Sequence, residues 1–255
     1  MRIGCSARQA AFAAALSSCA WPVLAAHPVL TEDTGTQGAG GFELEMGLAQ
    51  ARDGGVRALE FGPQLSYGAR DNLDLIARPT WLYVRGAGDG GTTQGFGDTG
   101  VDFKWRYPAS GPLTFGVRAG IDVPTGDGDK GLGNGKASPH GMLIATYIAG
   151  SWLLAANVDY VYDPLIGDRR DLWGASAAAV YAVNGTWRFS GEVATAMNPD
   201  PSRASWLTVA RFGAIATVVR GFDIDAGYQV RLTRAARVKP GRAHDQVEIV
   251  PRAVR

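Results

Sequence analysis

Cysteine is nearly missing from this sequence of 255 residues: there are 2, Cys5 and Cys19, both close to the start. From residue 20 onward the chain has no thiol, which excludes disulfides, a cysteine nucleophile and a cysteine metal site there. Histidine is almost as scarce, at 3. His27 lies near the start, His140 at a loop end and His244 in a basic tail, and none sits mid-strand beside a serine on the same face. A serine–histidine triad of the kind an outer-membrane lipid hydrolase needs therefore has no evident members, and no enzyme is expected. Charge of one sign is not in excess either, with 25 Lys and Arg against 24 Asp and Glu. That balance argues against a nucleic-acid partner. Past the first segment no apolar run approaches the ~20 residues of a membrane helix. No helical period recurs between apolar stretches, which excludes a parallel βαβ enzyme.

The first segment reads as a cleaved signal peptide over residues 1–26. Arg2 and Arg8 make a basic start, "AAFAAALSSCAWPVLA" an apolar core, and "VLAA" offers small residues for cleavage after Ala25 or Ala26. Leu16-Ser17-Ser18-Cys19 also has the form of a lipoprotein cleavage site with Cys19 lipidated. Without Arg2 and Arg8 the rest carries 23 basic and 24 acidic residues, a net charge of about −1. Residues 27–40 read as a periplasmic N-terminal segment and 41–255 as the folded domain.

Glycine is abundant, at 35. The stretch "IDVPTGDGDKGLGNGKASPH" (121–140) contains GxGxxG at Gly126–Gly131. A dinucleotide site needs a helix to open there, and Gly133, Asn134, Gly135 and Pro139 follow instead. A P-loop fails because Ala137 follows Gly135-Lys136. Asp127, Asp129 and Asn134 lack the EF-hand order and its closing glutamate. No cofactor and no metal are expected; the run is a hairpin loop.

Two-residue alternation dominates past Gly41. Leu113, Phe115, Val117, Ala119, Ile121 and Val123 oppose Thr114, Gly116, Arg118, Gly120 and Asp122. The pattern recurs in about twelve runs, near 42–52, 56–68, 73–84, 99–107, 113–124, 141–149, 152–162, 172–183, 186–197, 205–217, 222–232 and, weakly, 246–254. Most are long enough for the ~9–11 residues of a tilted strand crossing a bilayer. The links alternate in length: "ARDN" short, "RGAGDGGTTQGFGD" long, "PASGP" short, the quoted loop long, and so on to "TRAARVKPGRAHDQ". A soluble sandwich has no reason to keep that parity, whereas outer-membrane barrels pair short periplasmic turns with longer external loops. Trp81, Tyr83, Trp105, Tyr107, Trp152, Tyr160, Tyr162, Trp187 and Trp206 fall mostly near strand ends, as an interfacial girdle does. The expected fold is all-β: an antiparallel up-and-down transmembrane barrel of about twelve strands in the outer membrane, with outer-membrane lipids as its surroundings. Pro63 and Pro79 would face each other across the hairpin centred on Asp71, where a shared bulge is expected.

"HPVLTEDTGTQGAGGFELE" (27–45), "GFGDTGVDFKWRY" (95–107) and "VPTGDGDKGLGNG" (123–135) resemble the outer-membrane transporter family of the meta-pathway phenol degradation type. The likeness runs from His27 to about Leu232. It implies a barrel transporter linked to aromatic compounds, inserted by the barrel assembly machinery, with no catalytic residues to carry over. Members of this family close with a strand ending in an aromatic residue. Here the end is "VEIVPRAVR", with Pro251 in the would-be last strand, Arg255 last, and a basic stretch (Arg237, Lys239, Arg242) before it.

On this reading the protein is a channel for small molecules, aromatic or hydrophobic ones among them. The alternative is a filled barrel with a structural, adhesive or lipid-modifying role. The polar positions of the strands predict a lumen lined by Asp74, Arg78, Asp102, Lys104, Arg106, Arg118, Asp122, Asp159, Arg188, Glu192, Arg211, Asp223, Asp225 and Arg231. A turn centred near Ser110 would bring Arg106 beside Arg118 as a positive constriction favouring carboxylate-bearing solutes; a neutral ladder of salt bridges is the competing arrangement.

Overall fold

The alternating runs form strands because each offers one continuous apolar face and one polar face at the two-residue period of a pleated chain. A computed structural model describes residues 29–53, 56–87, 91–108, 110–164, 169–199, 201 and 205–233. The signal peptide 1–26 and the strand expected at 246–254 lie outside the described residues. Among the described residues there are thirteen strands: β1 (Phe42–Asp53), β2 (Val56–Arg70), β3 (Leu73–Arg78), β4 (Trp81–Ala87), β5 (Gly91–Phe96), β6 (Thr99–Arg106), β7 (Leu113–Val123), β8 (Ser138–Ala149), β9 (Trp152–Tyr162), β10 (Asp171–Ala182), β11 (Trp187–Met197), β12 (Trp206–Val219) and β13 (Phe222–Arg231). They make one antiparallel sheet in which nearly every strand pairs with its sequence neighbours.

Two of the crossings are broken. β3 and β4 both pair with β2, β3 through Leu65↔Ala77 and β4 through Phe61↔Trp81, so they are two halves of one crossing interrupted at Pro79-Thr80. β5 pairs with β4 and β6 with β3, making a second interrupted crossing at Gly97-Asp98. The thirteen strands therefore make eleven crossings, matching the first eleven of the twelve expected.

The prolines act differently from the expected bulge. Pairing is simply absent around residue 79, with the β2 register unchanged on either side, while Pro63 keeps a place opposite Met46 of β1. The irregularity falls on the next crossing instead. Register there moves by one residue between Trp81↔Phe96 and Arg78↔Gly100, which turns the outward set from Phe96 to Val101 and Phe103. The stretch 85–98, expected as one long loop, is mostly this extended hairpin.

The faces are inside-out relative to a soluble protein. Phe103, Phe115, Leu143, Leu154, Phe189 and Phe212 are exposed on the outer side, while Asp74, Asp102, Lys104, Arg118, Arg188, Glu192 and Arg211 are buried on the inner one. Apolar surface of that extent is tolerated against hydrocarbon. Aromatic pairs bound the band on each side. Trp152 and Tyr181 lie 4.6 Å apart near the short turns, Tyr160 and Trp173 5.0 Å apart near the long loops. On β9 they are separated by eight steps of roughly 3.3 Å each, about 20 Å of height at a tilt of roughly 40°, so the rings themselves extend to the edges of a band ~25 Å tall.

Arginine at an outward position near mid-strand tests this assignment. Val117→Arg, between Trp105 and Leu143 on the outer face, is expected to cost about 2–4 kcal/mol in urea unfolding from lipid vesicles. Arg231→Gln, on the inward face and exposed, is expected to stay within about 0.5 kcal/mol of the parent. A larger loss from Arg231→Gln would reverse the faces.

Candidate functional site

The lumen is occupied by the segment that precedes β1. Residues 29–41 precede β1 and run along the inner face of the wall; 27–40 were expected as a periplasmic segment, and the described part of it, 29–40, lies against inward side chains instead. Each unpaired backbone group of an irregular segment needs a polar partner, and the inward wall residues supply them. The Leu30 and Thr31 amides donate to the Glu192 carboxylate at 3.0 and 2.6 Å, and the Thr31 hydroxyl donates to it at 2.5 Å. The Asn157 side-chain amide pairs with Glu32 like a neighbouring strand: its Oδ1 accepts from the Glu32 amide at 2.7 Å and its Nδ2 donates to the Glu32 carbonyl at 2.9 Å. The Thr34 amide donates to Thr146 Oγ1 at 3.0 Å, and the Thr34 and Thr114 hydroxyls are 2.6 Å apart. The Gln37 amide meets both oxygens of Asp74 at 3.1 Å.

One short segment thus touches β3, β7, β8, β9 and β11, which requires the sheet to curl around it. Gly38 and Gly40, both at positive φ, turn the chain into β1. The Gly40 amide then bonds the Gly68 carbonyl at 2.8 Å. A Cβ at Gly68 would collide with the Gly38 carbonyl, so the wall leaves a side chain out where the segment passes. Gly68→Val is therefore expected to loosen the segment, read as faster proteolysis before residue 42 in folded protein, while the barrel keeps its heat-modifiable mobility.

Glu32 organises the charges on one side. Its Oε1 accepts from Lys104 Nζ at 2.9 Å and its Oε2 from Arg118 Nη1 at 2.5 Å. Arg118 also donates to Asp102 at 2.7 Å and to Gln64 at 3.1 Å. Asp102 in turn accepts from Arg78 at 2.9 Å and contacts His140 Nε2 at 2.5 Å. His140 Nδ1 lies 3.5 Å from Asp122, and Arg78 3.8 Å from the same carboxylate. A Cβ at Gly120 would collide with the Asp102 carboxylate; the glycine gives that side chain its place. Across the lumen Arg188 pairs with Asp223 at 2.5 Å, Thr217 donates to Asp223 at 2.7 Å, and Arg211 donates to Gln229 at 2.6 Å and lies 3.8 Å from Glu192. Between these groups Val29 packs with Leu153, Ala155, Ala178, Val180 and Ile215, an apolar patch on the inward face.

All fourteen expected lining residues fall on the inward alternation, but they do not form one continuous set. Asp74 is fully buried under the N-terminal segment. Asp159, half-buried against Gly174, has no ion-pair partner among the described residues. Asp225 is buried, and Arg231 is exposed at the loop end.

The expected positive constriction is corrected. Arg106 lies opposite Gly116 and Lys104 opposite Arg118, one residue off the expected turn centre, because the turn pivots on Gly111 at positive φ with the Tyr107 amide bonded to the Phe115 carbonyl. Arg106 donates to the Asp71 carbonyl at 3.2 Å, near the short turns. The two juxtaposed cations are Lys104 and Arg118, and carboxylates hold both. Sequence reasoning missed Glu32, His140, Glu43 and Glu45. The last two were legible in "FELEM", where Phe42, Leu44 and Met46 alternate with them.

At the loop end the 124–137 stretch closes over the broken crossings. Asp98 accepts from the Gly126 amide at 3.1 Å and the Asn134 amide at 2.7 Å, and Leu132 is buried beside Gly95, Gly97 and Leu82. Asp127 caps the 3-10 turn Gly128–Lys130. Its hydrogen bond from Lys130 holds its carboxyl below the usual carboxylate range. The stretch is a structured external loop, in line with its reading as a hairpin connection.

The sequence matches the family described as "Putative MetA-pathway of phenol degradation" over residues 25–245. The chain belongs to this family. Its fold is similar to that of the COG4313 outer membrane channel from Pseudomonas putida F1, with a TM-score of 0.57 at 14% identity over 83% of this chain and 90% of that one. It is also similar to the NanC porin, with a TM-score of 0.56 at 10% identity over 84% of this chain and 99% of that one. No curated protein matches it in sequence. Membership of this phenol-degradation family and the inside-out faces make the protein an outer-membrane β-barrel. The short turns, beginning with Asp71-Asn72, then lie on the periplasmic side and the long loops outside. The segment meets the wall at the short-turn end, where the Gly40 amide bonds the Gly68 carbonyl.

Proposed function

We propose that this protein is an outer-membrane channel for small hydrophobic or aromatic molecules, closed in this conformation by its own N-terminal segment. One observation carries the reading: the wall accommodates a polypeptide segment. An extended chain with its side chains needs a bore on the order of 5 by 10 Å, and a benzene ring passes through that space once the segment leaves. The bonds that hold the segment are many, but each is a single polar contact exchangeable with water. The link to aromatic solutes rests on the family description, and the apolar patch around Val29 suits such solutes better than sugars.

A conducting role is favoured over a catalytic one. His140 is engaged by two carboxylates, and the Ser138 hydroxyl two residues away donates to the Tyr162 carbonyl at 2.6 Å, away from the imidazole. The filled-barrel alternative draws on the same segment, and transport separates the two. Proteoliposomes carrying protein that lacks residues 29–40 are expected to swell in iso-osmotic glycine faster than protein-free vesicles. Swelling no faster than the protein-free control would remove the channel reading and leave the filled barrel.

A further inference from the structure

We propose that Lys104 and Arg118 form a binding site for small organic carboxylates, which Glu32 occupies here as an internal ligand. The two cations are direct cross-strand neighbours. Their side chains are only 9% and 10% exposed. Like charges opposite each other repel, and away from water that repulsion is strong unless an anion lies between them. Asp102 serves Arg118 but is shared with Arg78 and His140. Glu32 meets both cations, one oxygen to each, as a free carboxylate would.

Main-chain attachment of the segment at this level does not use the Glu32 side chain, because the Glu32 amide and carbonyl are held by Asn157. The carboxylate can therefore be exchanged while those bonds remain. The surroundings suit an acid with an apolar body. Ile76, Met142 and Ile144 share the inward face with the pair, Met142 opposite Arg118 and Ile76 opposite Asp102. Gly116 and Gly120 flank Arg118 on that face, where Thr34 of the segment lies over Gly116 and the Asp102 carboxylate over Gly120, so the space at Gly116 opens when the segment moves. The ligand class is a small monocarboxylate carrying a ring or short chain.

The site rests on the channel reading, since a solute must reach the lumen, and it makes the segment a competitor of that solute. A tethered carboxylate acts at an effective concentration of roughly millimolar or above. Free acid therefore binds the parent protein weakly and binds better once Glu32 loses its charge.

Calorimetric titration of the full chain in detergent micelles with sodium benzoate, and with benzamide as its neutral counterpart, tests this. Glu32→Gln is expected to bind benzoate about tenfold more tightly than the parent, with benzamide binding neither, and Lys104→Gln added to Glu32→Gln is expected to abolish the gain. If Glu32→Gln does not fold, a chain lacking residues 29–40 serves, with the same expected gain. Equal benzoate affinity in parent and variant, or equal binding of benzamide, overturns the proposal. Bilayer currents of the same preparations without benzoate report on the channel reading separately, so one can fail without the other.

Discussion

Removing residues 29–40 raises single-channel conductance severalfold in planar bilayers. The segment supplies the groups that fill the lumen between Asp74 near the periplasmic turns and Glu192 on the far wall, and the wall does not need it for its own pairing. Every strand from β2 to β12 except the short β5, which pairs with β4 alone, has a neighbour on both sides, and among the described residues the main-chain bonds of the segment to the wall strands are confined to Gly68 at the end of β2. The shortened protein should therefore fold, keep its heat-modifiable mobility and conduct. Its selectivity should change as well. Loss of Glu32 leaves Lys104 and Arg118 facing the open bore, so reversal potentials under a salt gradient move toward anions. An unchanged conductance in a correctly folded deletion would mean that another element closes the path.

The second large effect is energetic. Arg118→Gln is expected to destabilise the barrel by about 3 kcal/mol, the lower end of the range for breaking a buried ion pair. The lower end applies because Lys104 still faces Glu32, and Arg78 and His140 still face Asp102. From strand pattern alone an inward arginine beside water should be nearly silent; the larger loss is expected because Arg118 joins Glu32, Asp102 and Gln64. A double-mutant cycle isolates the contact. Glu32→Gln and Arg118→Gln together should cost at least about 1 kcal/mol less than the sum of the single changes. Additive losses would show that Glu32 and Arg118 do not interact in the membrane.

Much of the wall was legible because a half-buried strand writes its geometry at a period of two, and hydrocarbon makes the outer positions strictly apolar. β7 shows this: Phe115 and Ile121 point out, Arg118 and Asp122 in, as the alternation requires. The parity of short and long links was equally readable. Two things were not. Gly-rich "RGAGDGGTTQGFGD" hid β5, since glycine and threonine at the outer rim carry no alternation once the chain leaves the bilayer. Residues 29–41 hid the closure of the lumen. Their bonds are to groups as far as 162 positions away, and nothing local in "VLTEDTGTQGAGG" distinguishes a plug from a leader. The slip at the β6–β7 turn was one residue, which places Lys104 directly opposite Arg118 and leaves Arg106 diagonal to it.

The central claim is that this segment sits inside the barrel and closes it. The chain past Cys19 has no cysteine, so one introduced pair reports without background. Thr34 and Thr114 have hydroxyls 2.6 Å apart, which puts their Cβ atoms near the ~3.8 Å of a disulfide. In Thr34→Cys, Thr114→Cys protein the account predicts rapid oxidation to an intramolecular cross-link and a closed channel under oxidising conditions, with brief openings returning on reduction. Failure to cross-link in folded protein, or a cross-linked channel that conducts as freely as the reduced one, would contradict it.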